Sequence, residues 1–300
     1  MVEATVEKVL SEPREAAVWG APAARITWYR RLLRNRNVLL GASMFLILLL
    51  AAVFAGVLST HNPTRLYPAN RLRPPSAQNY LGTDEFGRDL YSLVLHGART
   101  SLRIGGLTML FTTIGGIVIG LVAGFYRQLD LFIMRVMDGL MAFPAILLAI
   151  ALMAARGPGE WNVIFALSVV YMPRTAILIR STVLSIRELD YVQAARALGR
   201  RDLVIAFRHI LPNCVGPILV QGTFIFAYAV LAEAILGFLG VGVPPYVPSW
   251  GNVIASGKNV IREAFWVSLF PGITLTLAGL SLNLLGDGLR DTLDPRLRVQ

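Results

Sequence analysis

The positions with the most chemistry to offer are charged residues inside otherwise apolar stretches. Arg135 and Asp138 stand three apart in one such stretch. That spacing puts both on one helix face, where they read as a structural ion pair or as a contact to a polar solute in a cavity. Glu233 sits alone in another stretch, with no cation near it in sequence. Charges at membrane depth pair or face a cavity, so Glu233 reads either as a cavity-lining acid or as a bond to an adjacent helix. Asp84, Glu85 and Asp89 cluster in a polar loop. Their spacing does not give the alternating ligands and sixth-position glycine of a calcium loop, and a capped turn is the expectation. His61, His96 and His209 are scattered and Cys214 is the lone cysteine, so neither a metal cluster nor an internal disulfide is expected. Gly251-Asn-Val-Ile-Ala-Ser-Gly257-Lys258-Asn259 comes nearest to a phosphate loop. It has one residue too many between the glycines and Asn where Ser or Thr is required. A membrane-embedded enzyme would need His and Asp, or paired carboxylates, converging on one cavity, and the apolar stretches hold isolated acids. No catalytic residue and no cofactor bound by this chain are therefore expected.

The elements that must position these residues follow from composition. The 300 residues are 55% hydrophobic and 15% charged, with mean hydropathy +0.60; soluble domains carry about 25% charged residues. Six apolar runs approach or exceed the ~20 residues of a helical span: Val38–Leu58, Ile104–Tyr126, Leu131–Ala155, Trp161–Ile179, Cys214–Leu239 and Ala264–Gly286. The expected fold is all-α and integral to the membrane, with six transmembrane helices. Nineteen of the 28 Lys and Arg residues fall on one side of these runs. They include the cluster before Val38 and Arg174, Arg180, Arg187, Arg196, Arg200, Arg201 and Arg208 around the fourth run. Positive charge stays in the cytoplasm, so both termini are expected there. The organisation is an arm (1–37), a first span (38–58), an outer loop (59–97), a core (98–287) and a tail (288–300). The arm is too long and too charged for a signal peptide, and Arg30–Arg36 reads as an anchor beside anionic membrane lipid. Net charge is +10, but the arginines lie between apolar runs rather than along one stripe, which argues against nucleic acid. A secondary transporter would show matched halves with broken helices, and none are seen. Gly116, Gly120 and Gly124 share a helix face and predict close packing, either within the chain or against a partner. Pro144 and Pro173 predict kinks.

Between the fourth and fifth runs lies a charged island, 184–213. Leu184, Leu189, Val192, Ala195 and Leu198 predict a helix over 184–198, stopped by Gly199. Asp202 predicts the cap of a second helix, over Leu203–Leu211, ended by Pro212. Ala194 and Ala195 leave little bulk for an approaching partner. From pattern alone the island is either a docking knob or an amphipathic connector lying on lipid.

The island resembles the coupling loop of ABC-importer permeases: Glu-Ala-Ala, three residues, Gly, nine residues, Ile-x-Leu-Pro. Gln193 stands for the Glu, followed by Ala194, Ala195 and Gly199; Leu211-Pro212 falls in register, with His209 at the Ile position. Gln193 removes the negative charge that an ion pair with an ATPase would use. More narrowly, the chain resembles the C-type permease subunit of dipeptide, oligopeptide and nickel importers. The resemblance rests on Leu81-Gly-Thr-Asp-x-x-Gly-Arg-Asp89, Tyr191-Val-x-Ala-Ala-Arg-Ala-Leu-Gly199, His209-Ile-Leu-Pro-Asn213, Pro244-Pro245 with Pro248-Ser-Trp-Gly251, and Asn283-Leu-Leu-Gly-Asp-Gly-Leu-Arg-Asp291 with Leu293-Asp-Pro-Arg296. It implies the type I ABC importer permease fold in a bacterial cytoplasmic (inner) membrane. Its implied partners are a second permease subunit in a heterodimer, two cytoplasmic ATPase subunits that use ATP, and an extracytoplasmic substrate-binding protein. Peptides are the implied cargo, with nickel or another small solute as the alternative. The resemblance makes Gln193, Ala194, Ala195, Gly199, His209, Leu211 and Pro212 the ATPase-coupling residues.

Overall fold

The computed structural model describes residues 32–293. Most of the arm, and the tail positions Arg296 and Arg298, lie outside the described residues. In lipid, every backbone N–H and C=O must be satisfied within the segment, and the chain answers with helices. Among the described residues the only β pairing is a single bridge between Thr83 and Asp89.

Helix α1 is Arg36–Val53, capped by the Asn35 side chain, which accepts from the Asn37 and Val38 amides; the short α2, Ala55–Leu58, follows. Helix α3, Leu90–Phe125, begins well before the expected Ile104 because Asp89 caps it, accepting from the Ser92 amide. Its 36 residues extend about 54 Å, longer than the ~30 Å hydrocarbon core, and Arg99 and Arg103 lie in its first half. The third run divides into α4, Arg127–Met141, and α5, Ala145–Arg156, bent by 92°. Pro144 sits at the break: it has no N–H to continue the ladder. Pro173 lies inside the unbroken α6, Glu160–Ile186. After the island come α9, Leu211–Phe238, α10, Trp250–Gly257, and α11, Trp266–Leu293; α7 and α8 belong to the island and are described below. Among the described residues, five helices are long and apolar enough to cross a membrane, or six if the bent pair counts as one span.

Contacts fix the directions. Gly116 faces Thr175 and Ala176, Gly120 faces Ala176 and Ile179, and Gly124 faces Val183. Arg103 meets Glu160 at the other end. Residue numbers rise together, so α3 and α6 run parallel, and the bent pair carries the chain back between them. The glycine face is thus filled by α6 of the same chain, not by a partner subunit. By the same reading α9 is antiparallel to α3 (Glu233 on Ser101, Val230 on Gly105) and α1 is antiparallel to α11 (Gly41 on Ser281, Asn35 on Gly288). Gly286 on Thr223 and Gly216 on Leu293 make α11 antiparallel to α9, so Asn35 and Gly288 lie at the same end of the bundle as the island.

In the loop before α3, Asp84 accepts from the Phe86 and Arg88 amides and pairs with the Arg88 side chain at 2.7 Å. Asp89 accepts from Asn79 and Ser92. Both carboxylates are occupied in holding the turn that starts α3.

Candidate docking knob and buried charges

The island is not one helix over 184–198. Helix α6 runs to Ile186, Leu189 is extended, and α7 is Asp190–Ala197. Gly199 adopts φ +72°, with its amide on the Arg196 carbonyl and that of Arg200 on Ala195. This is the left-handed cap that glycine supplies without steric cost. Asp202 opens α8, Asp202–Ile205, as its first residue, and the cap position is Arg201. Pro212 does not end a helix. A π-turn, Ala206–Ile210, leads directly into α9, where Pro212 lies in the first turn. The wider turn removes the need for an N–H at that point, and the Asn213 side chain donates to the His209 carbonyl at 2.7 Å.

What makes the two short helices a unit is apolar burial. Val192 and Ala195 of α7 pack with Ile205, Ile210 and Cys214, and these continue onto Leu121, Ile179 and Val183 of the spanning helices. The knob is therefore rooted in α3 and α6. Ala195 belongs to this cluster and faces inward, while Ala194 is exposed; successive helical residues point about 100° apart, so the two alanines cannot share a docking face. Gln193, Gly199 and Pro212 are exposed; His209 and Leu211 are half-buried. Leu198, Leu203 and Phe207 are 82%, 67% and 60% exposed, a cost that a partner would relieve by roughly 1.5–3 kcal/mol per fully buried side chain.

Four contacts here are not evident from the sequence. The Gln193 carboxamide donates to the Arg187 carbonyl at 2.9 Å, and Arg187 donates to the Gly124 carbonyl at 3.0 Å. Knob, α6 and α3 are thereby tied in series. Tyr191 joins the two arms: its hydroxyl accepts from Asn213 at 3.2 Å and lies 3.5 Å from the His209 carbonyl. Tyr191 and Asn213 bound the recognisable motif, a signal that could have found them. Arg187 lies outside it.

The charges in the spans separate by environment. Arg135 and Asp138 are both exposed and make no ion pair with each other. The pair that forms is Arg180 of α6 with Asp130 of α4, at 2.5 and 2.6 Å. It joins two helices, whereas Arg135–Asp138 would only have joined one helix to itself. Glu233 is fully buried and accepts from Ser101 on α3 at 2.7 Å. Ser101 accepts in turn from the Trp250 amide, and the Trp250 indole donates to the Val94 carbonyl. One Glu233 oxygen thus ties α9 to α3, and Ser101 in turn fastens the start of α10 to α3; the other Glu233 oxygen is buried without a partner among the described residues.

Residues 116–299 match the model of the binding-protein-dependent transport system inner membrane component family. Residues 25–75 match the N-terminal transmembrane domain of oligopeptide transport permease C. A Brucella suis biovar 1 protein named as a peptide transport system permease is 51% identical over 271 residues, covering 90% of this chain and 92% of the relative. A di/tripeptide transport system permease protein of Pseudomonas aeruginosa is 41% identical over 284 residues, covering 92% and 94%. Among solved structures, the MetNI methionine ABC transporter in an inward-facing conformation superposes with a TM-score of 0.55 at 18% identity. The match covers 67% of this chain and 97% of that one, a likeness of fold. The chain belongs to the binding-protein-dependent transport system inner membrane components and is a multi-pass protein of the inner membrane.

Proposed function

We propose that this chain is one of two permease subunits of an ATP-driven importer of di- or oligopeptides, coupled through the knob to two cytoplasmic ATPase subunits and supplied by an extracytoplasmic binding protein. The observation that carries this reading is the root of the knob: one apolar cluster joins α7 and the π-turn to α3 and α6. A displacement of the knob by a partner then moves spanning helices as a rigid body, since packed interfaces shift between discrete arrangements rather than deforming continuously. In this reading the bent pair α4–α5 is a crossing, the chain crosses six times, and both ends are cytoplasmic. The parallel course of α3 and α6 and the excess of Lys and Arg at the knob end support it. ATP is hydrolysed by the partner subunits. The peptide reading is supported by the names of relatives 41–51% identical over nine-tenths of the chain.

The experiment is site-directed crosslinking in the assembled complex. Cys214 is buried, so an introduced thiol reports without interference. Ala194→Cys is expected to crosslink to an ATPase subunit and Ala195→Cys is not. Reaction of Ala194→Cys with lipid-phase probes alone would make the island a surface connector. Labelled dipeptide uptake into proteoliposomes, dependent on ATP at the knob side, tests the cargo.

A further inference from the structure

Arg174 does not belong with the knob-side cluster in which its sequence position placed it. It lies near the middle of α6, between Glu160 and Ile186, about 9 Å along the axis from Arg180 at ~1.5 Å per residue. An arginine at that depth could extend its side chain to the knob-side boundary. It does the opposite. Helical side chains lean toward the N-terminus, and the guanidinium carbon of Arg174 lies 5.9 Å from the ring centre of Tyr171, one turn earlier, and 5.8 Å from that of Tyr228 on α9. The two rings stack, with centroids 6.5 Å apart and planes at 30°. They hold the cation by the attraction of ring faces for positive charge.

Nothing among the described residues neutralises it. Arg174 makes no ion pair with any of them and is exposed. One turn further along α6, Leu178 lines a cleft of about 450 Å³ with Gln221 and Phe224 of α9 and Arg290 of α11. The cleft is mainly apolar, with Gln221 and Arg290 as its polar side chains, so an open space runs from below Arg174 toward the knob end. An arginine facing lipid would cost ~2.5–3.5 kcal/mol even on the mildest scale, which is why such residues face water, a partner charge or a substrate.

We propose that Arg174, fixed between Tyr171 and Tyr228, faces the translocation pathway and binds the C-terminal carboxylate of the peptide in transit. This rests on the peptide-importer reading. The guanidinium is planar and offers two parallel donors to a carboxylate, a geometry that lysine cannot reproduce. The carboxylate is the one charge that every unmodified linear peptide carries at that end, so a single arginine serves cargo of varied side chains.

The test uses the complete reconstituted complex with its binding protein. Arg174→Gln is expected to leave ATP hydrolysis stimulated by the loaded binding protein within about twofold, while peptide uptake falls about tenfold, the loss of one charge-assisted hydrogen bond. Arg174→Lys falls between. Arg174→Cys is expected to react with a charged, water-soluble methanethiosulfonate, to be slowed by saturating peptide, and to recover part of its uptake when the reagent restores an amine. Wild-type uptake by Arg174→Gln overturns the proposal. So does reaction of Arg174→Cys with membrane-soluble maleimides alone, and so does dissociation of the Arg174→Gln complex, which would identify a structural pair with the partner subunit. A wild-type complex that imports no peptide would instead overturn the functional reading.

Discussion

At the scale of single residues, the knob is held by donors aimed at main-chain carbonyls. Gln193 stands where related coupling loops have Glu, and its carboxamide donates to the Arg187 carbonyl at the end of α6. An ionised carboxylate has no proton to donate and would place negative charge at a helix C-terminus, where it is disfavoured. Gln193→Glu and Gln193→Met should therefore both loosen this end by about 1 kcal/mol, read as roughly fivefold faster hydrogen exchange of the α7 amides and as more ATP consumed per peptide delivered. If Gln193→Met matches wild type while Gln193→Glu does not, charge and not the donated bond is what counts. The Glu-to-Gln change was visible in the sequence, but its partner was not: a bond to a main-chain carbonyl leaves no mark on residue types. Arg187 and Gly124 escape a sequence reading for the same reason. The exposed faces of Arg135 and Asp138 escaped it differently, because a three-residue spacing sets a shared face and not which way that face looks.

At the scale of elements, close approach of helices divides the glycines into two kinds. A Cβ on Gly120 would come within 2.7 Å of the Ala176 carbonyl, which is backbone and cannot yield; one on Gly139 would meet nothing within 4 Å. Gly120→Ala should destabilise the complex by about 1–3 kcal/mol through overpacking. Gly139→Ala should stabilise it by roughly 0.5–1 kcal/mol through helix propensity alone. Thermal unfolding in detergent measures both, and equal shifts of one sign would contradict the α3–α6 interface. Gly199 makes a third case, with open space around it but φ at +72°. Gly199→Asn should be near neutral, while Gly199→Val costs ~1–2 kcal/mol at the elbow and uncouples ATP hydrolysis from uptake. The glycine face and the elbow were legible in spacing because both depend on a missing side chain. The start of α3 and the passage through Pro212 were not. Arg99 and Arg103 look like a loop until the helix is known to outrun the bilayer, and a π-turn can carry a helix past a proline that sequence rules treat as a stop.

At the scale of the whole molecule, the parity of the crossings turns on the bent pair. Helix α5 has 12 residues, about 18 Å, too short to cross ~30 Å of hydrocarbon alone. Hydropathy counted its run as a sixth span; the 92° break withholds that status from either half. Direction of packing supplies what length cannot: Gly116, Gly120 and Gly124 meet successively later residues of α6, so the polypeptide must return to the start side between Phe125 and Glu160. Five crossings would leave Asn35 and Gly288 on opposite sides, yet Asn35 donates to the Gly288 carbonyl at 3.3 Å. Thiols at Leu33, 64% exposed just before α1, and at Leu198 on the knob should therefore both be labelled by impermeant reagents in inside-out vesicles only. One at Tyr246, 74% exposed in the loop before α10, should be labelled in right-side-out vesicles only. Labelling of Leu33→Cys and Leu198→Cys from opposite faces would remove the bent pair as a crossing, because α1, α3, the bent pair and α6 lie between them. It would also separate the two ends that the Asn35–Gly288 contact joins, so this one experiment tests the parity of the chain and the helix packing together.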